Sequence, residues 1–339
     1  MLKKRWVWRL VLSVVVVAAL VVGVSLAGRS TPAPRPAKPV DRDFSAYVGV
    51  GNYSGLTTIA STLGQPMTYG TDCFDDRSWE GIVNDVWLIH RWKGKGYPMV
   101  WCVPMLPFGN ETSLAIGATG AYDTYFVHLA RILVSAGMGA STLRIGWEFN
   151  NPKYPWFAGG QAAAFVAYWR HIVDSMRLVQ GARFNFVWNV SRSGQGPADA
   201  TMGNYASYYP GDKYVDVVSM DVYDQAFGTY PGATVQFENI LTLPWGLNWL
   251  VSFAGAHRKK MSIPEFGLGT GPYAPASGPI TQPGLVSGGD DPTFVTDMFN
   301  WARLYYVDTL AYWDYGSSSI ENGQNPQTAA ALRAELTHF

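Results

Sequence analysis

The stretch Arg144-Ile-Gly-Trp-Glu-Phe-Asn150 is an apolar, strand-like run that stops on a glutamate, and Ser262-Ile-Pro-Glu-Phe-Gly267 repeats the arrangement. A carboxylate at the tip of a buried strand is costly unless it has a partner or a task there. Two of them on different strands fit a parallel barrel, where the C-terminal strand ends gather the reactive side chains.

Working outward from these two runs, eight strand candidates recur: Ala46–Tyr53, Met67–Cys73, Met99–Met105, Thr142–Phe149, Phe184–Val190, Val215–Tyr223, Met261–Phe266 and Thr309–Tyr315. Most are continuous apolar runs, as expected of parallel strands covered on both faces. Helical patterns lie between them. Asp123 opens one that buries Phe126, Leu129 and Leu133 before Gly137, and Phe165, Trp169, Ile172, Val173 and Met176 form another at three-, four- and seven-residue spacing. Leu247–Ala256, Thr293–Tyr305 and Thr328–Leu336 read the same way. The alternation predicts an α/β chain, a (β/α)8 TIM barrel over residues 44–339. The Gly/Pro-rich stretch Gly267–Gly289 reads as a long loop on its active face.

The N-terminus stands apart from this pattern. Met1–Arg9 is basic, and Leu10–Ala27 is apolar and long enough to cross a bilayer. Residues 1–27 therefore read as a signal peptide or a retained membrane anchor, and either fate places the rest at the cell surface or outside the cell. Residues 28–43 are a Pro/Ala/Ser linker. About 295 residues remain, enough for one barrel and too few for a second full domain.

Charged residues are only 15% of the chain, and the formal net charge is zero, with no Lys/Arg cluster after the linker; nucleic acid is not expected as a partner. The 14 Trp and 19 Tyr suit either a well-filled core or a cleft lined by rings that stack on sugars. Cys73 and Cys102 fall on neighbouring predicted strands, where a bridge is geometrically possible; two buried free thiols are the favoured reading, because neither lies in a turn.

The predicted strand ends carry Asn52, Tyr53, Asp72, Glu148, Asn150, Trp188, Asn189, Ser191, Asp221, Tyr223, Asp224, Glu265, Trp313 and Asp314. Acetal cleavage needs one group to protonate the leaving oxygen and another to attack the anomeric carbon or activate water. Glu148 on the fourth strand and Glu265 on the seventh can stand on either side of one sugar ring. Glu148 suits the acid/base, its pKa raised by a drier site or the second carboxylate, and Glu265 suits the nucleophile. Tyr223 is placed to orient Glu265, and Arg144, pointing inward, to hold it by charge-assisted bonds. Asp72, Asn150, Trp156, Trp188 and Trp313 complete the expected substrate-binding set. A retaining mechanism calls for carboxyl groups about 5–5.5 Å apart, an inverting one for about 6.5–9.5 Å.

Arg144-x-x-x-Glu148-Phe-Asn150 followed by Tyr154-Pro-Trp156, then Phe186-Val-Trp188-Asn189, Val215-Asp-Val-Val-Ser-Met-Asp221-Val-Tyr223-Asp224 and Pro264-Glu265-Phe-Gly267, resembles glycoside hydrolase family 26. That family of β-mannanases and related endo-glycanases lies in the clan of retaining (β/α)8 enzymes with catalytic glutamates after strands four and seven. The resemblance covers strands four to eight well and the first third of the chain poorly. It implies Glu148 as acid/base, Glu265 as nucleophile, Tyr223 beside the nucleophile and Trp313 as the floor under the sugar. Members usually carry His directly before the acid/base glutamate, and other branches of the clan carry Asn; this chain has Trp147. The sugar is therefore left open between mannan, another β-linked hexan and a pentose polymer.

Other chemistries lack their groups. The five histidines fall on predicted helices or at the terminus, which leaves no triad histidine at a strand end. No His-x-His or Cys-x-x-Cys occurs, so no catalytic zinc or iron site is expected and no cofactor is implied; loop carboxylates such as Asp75 and Asp76 leave a structural calcium open. The expectation is a monomeric, exported, endo-acting hydrolase of a polysaccharide or oligosaccharide, bound to the membrane if its N-terminal segment is kept. The alternative is a catalytically silent sugar-binding barrel at the cell surface.

Overall fold

The computed structural model describes residues 42–109, 111–192, 202–271 and 280–339, and the backbone only of 280–283. The expected signal or anchor segment and nearly all of the linker lie outside the described residues. Among the described residues no helix is long and apolar enough to cross a membrane.

The strands are β1 (Asp43–Tyr47), β2 (Gly70–Cys73), β3 (Met99–Val103), β4 (Thr142–Ile145), β5 (Asn185–Arg192), β6 (Val217–Tyr223), β7 (Gln225–Tyr230), β8 (Lys260–Gly267), β9 (Ile280–Ser287) and β10 (Thr309–Trp313). Among the described residues the helices are α1 (Tyr53–Leu63), α2 (Trp79–Val83), α3 (Val86–Trp92), α4 (Leu114–Gly117), α5 (Asp123–Ser135), α6 (Ala162–Arg177), α7 (Ala233–Thr242), α8 (Leu247–His257), α9 (Pro292–Leu304) and α10 (Pro326–Leu336). Eight strands form one sheet in the order β1-β10-β8-β6-β5-β4-β3-β2, every pair parallel. Hydrogen bonds from β1 to Thr68 and Tyr69, just before β2, draw the two edges together. This is the (β/α)8 barrel expected from the sequence. Phe126, Leu129 and Leu133 of α5 and Phe165, Trp169, Ile172, Val173 and Met176 of α6 are buried in the single large core, as their spacing predicts.

Two predicted elements change. The first strand stops at Tyr47; Asn52 caps α1 through the Gly55 N–H, and Tyr53 opens that helix, so neither stands at a strand end. The stretch after β8 is not all loop. Its β9 segment pairs antiparallel with β7 in a two-stranded ribbon beside the barrel. No local pattern marks β9, because its pairing partner lies some 55 residues earlier in the chain.

Register decides which strand residues look into the barrel. Cys102, Arg144, Val187 and Val217 are aligned across β3, β4, β5 and β6, and Asn189, Ser219 and Ser262 across β5, β6 and β8. Their neighbours one residue away face the helices.

Candidate active site

β8 carries the decisive irregularity. Ser219 of β6 pairs with Ser262, yet Asp221 pairs with Glu265, so β8 spends one extra residue over the same span. The β10 side shows the same slip, with Leu310 opposite Ile263 and Tyr312 opposite Phe266. This is a β-bulge at Pro264, a position where a proline costs the ladder least. Strict alternation from Ser262 would point Glu265 out toward the helices. The bulge turns it inward beside Asp221 and sends Phe266 outward against Phe294 and Phe299 of α9.

Inside, Glu265 is held at both oxygens. Arg144 Nη1 donates to Oε1 at 2.7 Å and the Tyr223 hydroxyl to Oε2 at 2.9 Å. Arg144 also donates through Nη2 to Asp221 Oδ2 at 2.6 Å and to Asn189 Oδ1 at 3.2 Å. Asn189 Nδ2 in turn donates to Ser219 Oγ and Asp221 Oδ1. Burial and the neighbouring carboxylates push Asp221 up, against the pull of Arg144, and Arg144 stays charged among its acids.

Glu148 arrives by a different route. β4 ends at Ile145, and the chain turns through Gly146 (φ 54°) and Glu148 (φ 48°). A left-handed glutamate is an uncommon, strained conformation. It is pinned here by the Glu148 N–H bond to Asn189 Oδ1 at 3.0 Å and by the Asn151 N–H bond to the Glu148 carbonyl. Gly146 admits no side chain, because a Cβ there would collide with Met105 Sδ. Asn189 thus links the two halves of the site, orienting both the Glu148 backbone and Arg144.

Glu148 is 7% exposed and Glu265 6%. Burial first, and the Glu265 carboxylate second, push the Glu148 pKa up; bonds from Ser191 and Asn151 pull the other way, the latter from Nδ2 to Oε2 at 2.7 Å. One guanidinium serves three buried acids, so a proton on Glu148 lessens the excess negative charge of the cluster.

The rings divide. Trp313 ends β10 in register with Tyr47 of β1, and the two stack with centroids 4.1 Å apart. Tyr154 is stacked on Trp156 at 4.6 Å and accepts a bond from Trp147 Nε1 at 3.0 Å. Burial, then Glu148 and Glu265, raise the Tyr154 pKa, which places its hydroxyl in the field of both acids.

Of the residues expected at the site, Arg144, Glu148, Tyr223, Glu265 and Trp313 come together and four do not. Asp72 lies beside Cys73 on β2, whose register partner is the inward Cys102, so Asp72 faces outward. It accepts bonds from the Gly51 N–H, the Cys73 N–H and Trp92 Nε1, and anchors the loop after β1. Trp188 alternates with inward Asn189, so it packs outward against Phe149 and Phe253, with Nε1 bonded to the Tyr208 carbonyl. Asn150 is fully buried, bridging Ser191 and the Tyr205 hydroxyl. Trp156 is fully buried with Nε1 on the Trp147 carbonyl. These four are wall, not cleft.

Sequence reasoning passed over Asn151 and Tyr47 and gave Asn189 no role. Asn151 stands three residues after the glutamate, where a turn returns it, and Tyr47 ends its strand in register with Trp313. Cys73 and Cys102 sit opposite each other on β2 and β3 as free thiols, and Cys102 Sγ accepts a bond from Arg144 Nη1 at 3.3 Å.

Fold and site together define a (β/α)8 barrel that holds two buried glutamates inside its mouth. The model of glycosyl hydrolase family 26 matches residues 144–264, the span from Arg144 to the bulge proline. Endoglucanase H of Acetivibrio thermocellus is 27% identical over 86% of this chain, and the chain spans 31% of the length of that relative. A family-26 β-mannanase from Bacteroides ovatus superposes with a TM-score of 0.55 at 15% identity, over 88% of this chain and 86% of that one. The family-26 domain of an endo-β-mannanase/endo-β-glucanase from Prevotella bryantii gives 0.54 at 14% identity, over 88% and 92%.

Proposed function

We propose that the chain cleaves internal linkages of a β-linked polysaccharide, a mannan or a glucan, by double displacement with retention. The observation that carries this reading is the pair of buried glutamates held in opposite ways. Glu265 has both oxygens oriented by Arg144 and Tyr223, as an attacking carboxylate requires. Glu148 sits where burial and a neighbouring acid favour its protonated form, as a proton donor requires.

In the first step Glu148 gives its proton to the glycosidic oxygen while Glu265 attacks the anomeric carbon, forming a glycosyl ester and releasing the leaving chain. In the second, Glu148 takes a proton from water, the water oxygen attacks the same carbon, and the Glu265 carboxylate is released. Trp313, stacked on Tyr47, is the platform for the sugar under attack. The mannan and glucan preferences in the names of the relatives suggest the substrate class, and Trp147 in place of the family's usual histidine leaves the choice between them to experiment. The sequence of residues 1–27 supports export, with the enzyme working at the cell surface or beyond it.

The test is incubation of the purified chain with mannan, mixed-linkage β-glucan, xylan and arabinan, scored for new reducing ends and for product anomers by proton NMR. Reducing ends of retained configuration on mannan or glucan, abolished in Glu265→Ala and Glu148→Ala, are the expected result. Binding without reducing ends would mean the silent sugar-binding barrel instead. Inverted products would sink the double displacement.

A further inference from the structure

Large apolar side chains lie open beside the active-site mouth, around the turn after β1. Trp87 is 59% exposed, Tyr315 56% and Val50 53%. Tyr315 follows β10, two residues after the proposed platform Trp313, and its ring is 6.3 Å from Trp313 and 5.9 Å from Tyr47. Val50 lies in the turn after β1, between two glycines of positive φ, Gly49 at 99° and Gly51 at 65°.

Each glycine lies under one of the exposed rings. A Cβ on Gly49 would sit 3.4 Å from Tyr315 Cε2, and a Cβ on Gly51 would collide with Trp87 Cη2. The turn is therefore a bare backbone strip onto which two rings fold, one from the far end of the chain and one from the start of α3. The strip itself is fixed. The Gly51 N–H donates to buried Asp72 at 2.8 Å, and the Gly51 carbonyl accepts from Arg91 Nε at 3.0 Å. Arg91 also holds Trp87 from its own side, its guanidinium 5.8 Å from the indole centroid.

Large rings held rigidly yet left open to water gain little for the fold. A pyranose gains from such a surface, since its C–H faces cover a ring that loses no conformational freedom on binding. We propose that Tyr315, Val50 and Trp87 form a shelf that binds the part of the polysaccharide chain beyond the sugar being cleaved, with Trp87 as its outermost platform. The inference rests on the hydrolase reading for its occupant. Its support is the continuous surface from Trp313 to Tyr315, in ring contact, and on across the Gly49–Gly51 turn that lies against Tyr315 at one glycine and Trp87 at the other. The shelf makes the enzyme prefer long chains, because short oligosaccharides end before reaching it.

The experiment pairs binding with kinetics. Native affinity electrophoresis of the full chain in gels containing soluble galactomannan or β-glucan reads the shelf without any need for turnover. Trp87→Ala should lower polymer affinity about tenfold, and Trp87→Phe should recover part of it. In the cleavage assay, the ratio of kcat/KM on polymer to kcat/KM on a trisaccharide or tetrasaccharide should fall by the same factor. Tyr315→Ala should act in the same direction. Equal retardation of wild type and Trp87→Ala, or no retardation of the wild type by either polymer, overturns the shelf. Retardation that depends on Trp87 in a chain that releases no reducing ends keeps the shelf and removes the hydrolase reading.

Discussion

Trp188 on β5 and Trp313 on β10 both stand near the C-terminal ends of barrel strands, yet they serve different ends. Trp188 is wholly buried between Phe149 and Phe253 with its indole N–H bonded to a carbonyl. Trp313 is only partly covered, with one face stacked on Tyr47. The whole β4–β5 side follows Trp188: Asn150, Trp156 and Tyr205 are buried and bonded to their surroundings. The β10–β1 side follows Trp313 and continues outward into open rings. An aromatic residue at a barrel mouth is thus cleft or wall according to the parity of its strand and what lies behind it, not its identity.

The largest effect that tests this contrast is on stability. Trp188→Ala should cost about 3–5 kcal/mol of unfolding free energy in urea titration, from lost burial and the cavity left behind. Trp313→Ala should cost only about 0.5–1.5 kcal/mol, the scale of a stacked ring pair, while lowering kcat/KM. Similar losses for the two would erase the distinction between wall and cleft.

Tyr223→Phe comes next. It removes one hydrogen bond to the Glu265 carboxylate, an interaction of about 1.5–3 kcal/mol, so kcat/KM should drop roughly 10- to 100-fold with little change in unfolding. A drop below twofold would leave Glu265 oriented by Arg144 alone.

Asp72 gives a smaller, pH-dependent effect. Burial, against bonds from Trp92, Gly51 and Cys73, pushes its pKa from 3.8 up to about 6. The folded chain therefore holds this proton more tightly than the unfolded chain. Its stabilising contribution is complete below the ordinary carboxylate pKa and is lost as pH rises through about 6. Asp72→Asn should flatten this part of the stability profile in denaturant titrations between about pH 4 and 6. An unchanged slope would assign the dependence to other acids.

The finest test concerns Glu148. As the proposed proton donor it must be protonated, so activity is expected to fall as pH rises through its raised pKa. The Asn151 amide bond favours the ionised form. Asn151→Ala should therefore move the alkaline limb of kcat/KM to higher pH. A limb that stays put or moves down would show that Asn151 does not act on the acid.

Much of this was legible in the residues. Apolar runs separated by 3.6-period helices specify a parallel barrel, because each strand must be covered on both faces and each helix on one. Two glutamates closing such runs, with an arginine four residues before the first, specify where the chemistry gathers. Two of the misassigned residues, Trp188 and Asp72, share one cause. Trp188 and Asn189 are adjacent on one strand, and alternation forbids both from facing the barrel; the same holds for Asp72 and Cys73.

Composition and periodicity by themselves determined the barrel, its polar rim and the pair of acids, because burial patterns are written along the chain. Tertiary structure alone decided that Glu265 faces inward, through a bulge defined by its neighbours on both sides. It also decided that Glu148 is held in a left-handed turn by an asparagine from the next strand, and that the β1 turn lies under rings from opposite ends of the sequence. Strand register and long-range contact depend on which segments meet, and no local stretch of sequence carries that information.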